Sequence, residues 1–208
     1  MGARPRRCFR GYRWAVPTFP VTGDAEADAL LVTDPLALIV GMLLDQQIPM
    51  EKAFTSPRDL ADRMGGAPLD AAAIAATDPA DMEAIFRGPP ALHRFPKSMG
   101  ERTQALCATI VDAYDGRTER LWTEAADGAD LLGRLRALPG FGEEKARIFV
   151  AVLAKRLGVR PDGWEEAAGP FADGTRLSVA DVDSRDAFDR VRAWKREQKA
   201  AAKRAAGS

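Results

Sequence analysis

A short turn containing two glycines, Pro139-Gly140-Phe141-Gly142, is the segment of this sequence best suited to hold a charged ligand. It separates two apolar helical patterns, so the two predicted helices must pack against each other across it. Glycine adopts backbone angles that other residues resist, and its missing side chain lets another molecule approach the main chain. The first amides of the second helix lack intrahelical acceptors and carry the positive end of the helix dipole. The turn therefore predicts an anion site suited to a phosphate, the alternative being an ordinary helical hairpin.

Three further polar residues could act on a ligand: Gln47, Asp181 and Asp183. Gln47 lies at the end of an apolar helical pattern, where its amide can donate and accept hydrogen bonds or cap its own helix. Asp181 and Asp183 precede Ser184, which is predicted to cap the last helix. Capping is a common use of aspartate, so these two carboxylates have a structural as well as a chemical interpretation.

The residue types argue against a metal site and predict no cofactor. The chain has one histidine and two cysteines, Cys8 and Cys107, whereas an iron–sulfur cluster or a structural zinc site needs four ligands. Cys107 falls within an apolar helical pattern and is predicted to be a buried free thiol. Free thiols favour a reducing compartment, so a cytoplasmic location is expected. No apolar run approaches the ~20 residues that cross a bilayer, and no membrane association is expected.

The elements that must position these residues are predicted to be helices throughout. Alanine is abundant, β-branched residues are sparse and no alternating strand pattern is present, so the expected fold class is all-α. Breaks at glycine, proline and aspartate place helices at about 24–31, 36–44, 50–64, 70–76, 79–86, 98–114, 129–138, 143–157 and 184–199. Residues 159–180 are expected to be irregular. His93 is predicted to lie exposed in a loop.

Charge and composition suggest how the chain is divided. Its net charge is zero, but residues 1–14 hold five arginines and no acid, and residues 190–208 hold seven cations against Glu197. Such ends could contact phosphates or simply keep the chain in solution. We expect residues 1–20 to be an irregular basic extension, residues 21–195 a two-lobed helical domain with the hairpin at 129–157, and residues 196–208 a basic tail that frays.

The string Leu138-Pro139-Gly140-Phe141-Gly142, followed by Lys145-Ala146, resembles the hairpin of the helix-hairpin-helix (HhH-GPD) base-excision DNA glycosylases, which include endonuclease III. A second match, Leu43-Leu44-Asp45-Gln46-Gln47, resembles the family's leucine-leucine-x-x-glutamine segment. A third, weaker match is Ser98–Ile110. Together the resemblance spans roughly residues 24–195, and only the hairpin is highly specific.

The resemblance implies a DNA interface and a catalytic aspartate. Gln47 would lie beside the gap left by an extruded nucleotide, and Arg102, Lys145 and the turn residues Pro139–Gly142 would contact DNA. The family's aspartate lies near the start of a helix after the hairpin, which implies Asp181, with Asp183 as the second candidate. The stretch from the hairpin to these aspartates is longer than in the family, through an insertion-like segment at 159–176.

Glu144 occupies the position at which strand-cleaving members of the family carry a lysine nucleophile, and Lys145 is rotated about 100° from it. The implied function is therefore a monofunctional glycosylase that removes a damaged or mismatched base from double-stranded DNA as a monomer. Trp164, Trp194 and Phe171 could line a base pocket, although such aromatic residues are more often core. Two alternatives remain: a DNA-binding repair accessory without catalysis, and a helical protein-interaction module whose glycine turn only packs helices.

Overall fold

The structure is a computed structural model that describes residues 18–206, and within this range it is all-α, as expected. No residue between 18 and 206 forms a strand. The eleven helices of this range are α1 (Ala25–Thr33), α2 (Pro35–Leu44), α3 (Met50–Arg63), α4 (Ala71–Ala76), α5 (Pro79–Arg87), α6 (Pro96–Tyr114), α7 (Arg120–Thr123), α8 (Gly128–Arg136), α9 (Glu143–Arg156), α10 (Trp164–Ala168) and α11 (Arg185–Ala206). Two 3₁₀ turns lie at Gly169–Phe171 and Val179–Asp181.

Many of these helices begin at a capping aspartate, which explains why their first residues could be predicted from the sequence. At five helix starts the carboxylate of the capping aspartate accepts a hydrogen bond from an amide of the first turn. These aspartates are Asp24, Asp34, Asp70, Asp78 and Asp127. Such caps satisfy amides that have no acceptor within the helix. The Asp34 carboxylate also accepts from the Leu69 amide at 2.8 Å, so this cap holds a later loop against the start of α2.

The helices form two groups around one continuous apolar core. In the first group α1, α2 and α3 pack together, and α4 and α5 pack on α6. In the second group α8, α9 and α10 pack together, and the turn at Val179–Asp181 joins α9 to α11. Every residue of α2 from Leu36 to Leu44 is buried, so this helix is the central element of the core.

The apolar core includes Phe19, which lies next to the first described residue. Phe19 is buried and packs edge-to-face on Phe54, with ring centroids 5.4 Å apart. Phe19 therefore belongs to the core, although it lies on the extension side of the boundary expected at residue 20. The five arginines of residues 1–14 lie outside the described residues.

Two further expectations are corrected at the carboxyl-terminal side. The last helix does not fray at about residue 199 but continues to Ala206. The segment 159–180 is not irregular throughout, since it contains α10 and both 3₁₀ turns. It also supports the start of α8: the Gly128 amide donates to the Asp162 carbonyl at 2.7 Å, and a Cβ on Gly128 would collide with the Gly163 backbone.

No single helix between residues 18 and 206 is long and apolar enough to cross a bilayer. The consecutive helices α1 and α2 are together apolar enough, but the chain bends by 112° between them.

Candidate nucleic-acid interface

The hairpin turn is tight and is closed by its own backbone. The Phe141 amide donates to the Leu138 carbonyl at 3.1 Å. Gly140 has a φ of +82°, in the region that favours glycine, and a Cβ there would overlap Cδ1 of the buried Leu43. Gly140 therefore serves two purposes: it makes the turn and it lets the hairpin rest on the end of α2.

The amino end of α9 is open for an anion. Gly142 precedes it in an extended conformation without a side-chain cap, and the first helical bond is donated by Ala146 to the Gly142 carbonyl at 3.0 Å. The amides of Glu143, Glu144 and Lys145 therefore have no acceptor among the described residues. Gly140 and Gly142 are exposed, so the turn leaves room for a ligand beside these amides, and the phosphate site stays a prediction.

The turn has an exposed backbone at its glycines and one buried side chain, that of Phe141. Phe141 is only 5 % exposed and packs edge-to-face on Phe149, with ring centroids 5.9 Å apart. Its side chain therefore anchors the hairpin in the core, and only its backbone could contact DNA. Pro139 is half-buried beside it.

The acids at the start of α9 are paired with arginines. Glu143 lies 2.8 Å from Arg136 and 2.7 Å from Arg147, and Glu144 lies 3.1 Å from Arg176. Two carboxylates beside an anion site would repel a phosphate. The three guanidinium groups offset this charge and keep the amino end of α9 compatible with an anion.

The Lys145 side chain points toward α2 and not toward the DNA-facing surface that the family resemblance implied. Its ammonium donates to the Met42 and Leu43 carbonyls, each at 2.8 Å, and so caps the carboxyl end of α2. Burial lowers the pKa of Lys145 to about 8, although the negative charge of Asp45 opposes this shift. Lys145 thus ties the hairpin to the carboxyl end of α2.

Replacing Lys145 by methionine should remove a pH-dependent part of the stability. Because the folded-state pKa is about 8 and the ordinary value is 10.5, the unfolded chain binds more protons between these values. The free energy of unfolding of the unaltered chain should therefore rise with pH there, by about 1 kcal/mol per pH unit between pH 8 and pH 10. Urea unfolding at several pH values should show this rise, and Lys145→Met should lack it. Equal slopes in the two proteins would contradict the assignment.

The loop between α2 and α3, residues 45–49, which we call the glutamine loop, fixes Gln46 and presents Gln47. The Gln46 amide donates to the Leu43 carbonyl at 2.8 Å, and its oxygen accepts from Arg102 at 3.2 Å. Gln47 is exposed, has a positive φ of +57°, and makes no side-chain hydrogen bond to any described residue. A glutamine in this strained conformation with a free amide is well placed to contact an external partner.

His93 is buried, and the expectation of an exposed loop histidine is wrong. The side chain is 2 % exposed. Its Nε2 donates to the Gln46 carbonyl at 2.9 Å, and its Nδ1 accepts from the Phe95 amide at 3.1 Å. Burial lowers the pKa of His93, which favours the neutral ring that this bonding pattern requires. His93 therefore holds the backbone of the glutamine loop from its buried side.

Arg102 lies on the exposed face of α6, within the helix that contains the third sequence match. Its guanidinium reaches the Gln46 oxygen 56 residues away in sequence. The structure thus brings Arg102, Gln47 and the hairpin around the carboxyl end of α2, where the implied DNA contacts would meet.

The two candidate aspartates have different surroundings. The Asp181 carboxylate lies 2.7 Å from the Lys155 ammonium and accepts from the Ser178 amide at 2.9 Å in a capping box. Asp183 is exposed, and among residues 18–206 it accepts a hydrogen bond only from the Ser184 hydroxyl, at 3.0 Å. Ser184 in turn caps α11 through the Ala187 amide, so Asp183 stands directly at the start of this helix.

A cleft of about 590 Å³ opens between the start of α9, the segment 170–178 and α11. Its lining includes Phe171, Trp194 and Glu144, the last being the only carboxylate among the lining residues. Asp181 and Asp183 do not line this cleft, and Trp164 lies at a separate surface depression. Two of the three suggested aromatic residues are therefore brought together.

Sequence reasoning missed the cations that hold the acids of this region. Lys155 pairs with Asp181 across 26 residues, and Arg176 pairs with Glu144 across 32 residues. Lys195 lies 3.6 Å from Asp45 and links α11 to the glutamine loop. No local pattern signals such pairs, because each depends on how the second group of helices closes.

The described residues contain no group of histidine, cysteine and acidic side chains arranged to hold a metal ion. Cys107 is buried, as predicted, and burial raises the pKa of its thiol to about 12.

The family model for the HhH-GPD superfamily base excision DNA repair proteins matches residues 40–207. The match includes the glutamine loop, the hairpin and α11. Comparisons with curated proteins and with solved structures gave no significant match. The all-α fold, the glycine hairpin with its open helix start and the family match agree, and the chain belongs to the HhH-GPD superfamily of base excision DNA repair proteins.

Proposed function

We propose that this protein is a monofunctional DNA glycosylase, with Asp183 as the catalytic carboxylate. The observation that carries the proposal is the exposed Asp183 carboxylate at the start of α11, which forms no salt bridge with any described residue and interacts with the Arg156 guanidinium only through a longer-range charge attraction. A carboxylate in such a position can stabilise the positive charge that develops on the sugar as the bond to the base breaks.

Asp181, the candidate preferred from sequence, is the less suitable of the two. Its carboxylate oxygens are occupied by Lys155 and by the Ser178 amide, and its side chain is 17 % exposed. A carboxylate that already neutralises a lysine stabilises a second positive charge less effectively. We therefore assign Asp181 to holding the segment before α11 against α9.

Hydrolysis by water fits the hairpin better than attack by a lysine. Glu144 stands at the nucleophile position, and the Lys145 amine is bound to the carbonyls of α2. In the proposed reaction the oxygen of a water molecule bonds to the sugar carbon, the bond to the base breaks, and the base leaves with a proton. The product is an intact strand with an abasic site.

We further propose that the substrate is double-stranded DNA bound by a monomer, with the hairpin amides holding a phosphate and Gln47 beside the extruded nucleotide. This arrangement is supported by the open amino end of α9 and by the free amide of Gln47. Phosphate contacts carry no sequence information, so the choice of base would depend on the cleft. A cytoplasmic location stays a prediction from the sequence.

A second function, DNA binding without catalysis, is favoured by one observation. Neither Asp181 nor Asp183 lines the cleft that opens beside the hairpin. A repair accessory would need the hairpin and Gln47 but no carboxylate facing the DNA.

A lesion panel distinguishes the two functions. Duplexes that each contain one deaminated, alkylated, oxidised or mismatched base are incubated with the protein and then treated with alkali. A glycosylase of the proposed type should give strand breaks on at least one duplex only after alkali. Breaks without alkali would overturn the monofunctional assignment. Binding to every duplex with no breaks on any would leave only the accessory function.

A further inference from the structure

The final helix carries a stripe of cations along one side. At 100° per residue, Arg192, Lys195, Arg196, Lys199 and Lys203 fall within about 100° of the circumference of α11. We call these five residues the α11 stripe. Glu197 is the only acid of this part of the helix, and the same spacing places it on another side.

The inner end of the stripe is fixed to the first group of helices. Arg192 lies 2.9 Å from Glu51 of α3, and Lys195 lies 3.6 Å from Asp45. Asp45 is two residues before Gln47, so the stripe starts beside the glutamine loop.

The outer end of the stripe has surplus positive charge. Arg196, Lys199 and Lys203 are exposed and make no ion pair with any described residue. They span about 10 Å along the helix axis. Duplex DNA presents a phosphate about every 3.4 Å along each strand, so this length matches about three phosphates of one strand.

We propose that the α11 stripe is a contact surface for the DNA backbone, which extends the interface from the glutamine loop along the helix. This inference rests on the proposed binding of duplex DNA. The outer part of the stripe is flanked by Ala200–Ala202 and has no aromatic or large aliphatic side chain. Protein interfaces depend on such anchors, whereas a phosphate backbone needs only charge and reach.

The test uses the full chain with Arg196, Lys199 and Lys203 all replaced by glutamine. Binding to a short undamaged duplex is measured by fluorescence anisotropy at salt concentrations from about 50 to about 200 mM. Losing three phosphate contacts should reduce the slope of log affinity against log salt by about 2.7 and weaken binding on the order of 100-fold.

A matched control replaces three other exposed arginines by glutamine: Arg190 on another side of α11, Arg87 of α5 and Arg117 after α6. This variant has the same net charge as the stripe variant and should keep the slope of the unaltered chain. Equal slopes for the stripe variant and the unaltered chain would overturn the proposal, as would equal losses in stripe and control variants. Loss of binding to a polyglutamate peptide with an unchanged DNA slope would assign the stripe to an acidic protein and also overturn it.

The outcome is separable from that of the proposed glycosylase activity. A reduced slope with no excision on any lesion would support the stripe and contradict the enzyme. Excision on a lesion, together with an unchanged salt slope in the stripe variant, would support the enzyme and contradict the stripe.

Discussion

Replacing Asp183 by asparagine should reduce base excision about a thousandfold while leaving DNA binding nearly unchanged. Asparagine has the same shape but no charge, so it removes the interaction that would strengthen as the sugar becomes positive. Losses of about 10²–10³ are typical when one such electrostatic contact is removed from an active site. Because Asp183 is exposed and asparagine can still accept the Ser184 hydrogen bond, the substitution should remove only the longer-range attraction to Arg156 and leave the fold intact. Single-turnover excision rates and duplex affinity measure the two effects separately.

Two other carboxylates provide the controls for this prediction. Asp181→Asn should lower the free energy of unfolding by about 1–3 kcal/mol, because it leaves the largely buried Lys155 ammonium without its acid. The folded Asp181→Asn protein should nevertheless excise at close to the normal rate. Glu144→Gln should keep most of the activity. A thousandfold loss in either control with a normal rate for Asp183→Asn would move the catalytic role to that residue.

Replacing Gly140 by alanine should destabilise the protein by about 2–4 kcal/mol. The backbone angle costs about 1–2 kcal/mol for any residue with a Cβ, and forcing the buried Leu43 to move adds a similar amount. Because Leu43 lies at the end of α2 just before the glutamine loop, DNA affinity should fall as well. Urea unfolding and duplex binding would measure the two effects.

Gly133→Ala is the matched control for the hairpin glycine. Gly133 lies within α8 and is exposed, and a Cβ added to it would have no atom of the described part of the chain within 4 Å. Alanine there should stabilise the helix by about 0.5–1 kcal/mol. If Gly140→Ala were as well tolerated as Gly133→Ala, the close contact between the hairpin and α2 could not be essential to the fold.

The sequence was informative wherever structure is determined locally. Aspartate caps, proline at the first helical position and the glycine turn each act within a few residues, so the bounds of the helices predicted before α11 were close to those observed. The short helices α7 and α10 were not predicted. The open amino end of α9 follows from the same local geometry. The continuation of α11 to Ala206 was missed because no glycine or proline marks its end before residue 207, and alanine with lysine is compatible with both helix and frayed tail.

The candidate site was less predictable because it depends on contacts between distant residues. Asp181 and Asp183 look alike in sequence, and the long-range contact that distinguishes them is the ion pair of Asp181 with Lys155, 26 residues earlier. His93 looked like a loop residue because its partner, the Gln46 carbonyl, is 47 residues away. Lys145 was assigned to the surface because its position on a helix does not reveal that α2 ends against it.

The backbone contact between Gly128 and Gly163 limits how far the hairpin can be regarded as a portable module. Since α8 starts directly against the segment that follows α9, the hairpin and this segment depend on each other. The insertion-like segment 159–176 therefore supports the first helix of the hairpin. A graft of the hairpin onto another scaffold would need residues 128–168, not only the two helices and their turn.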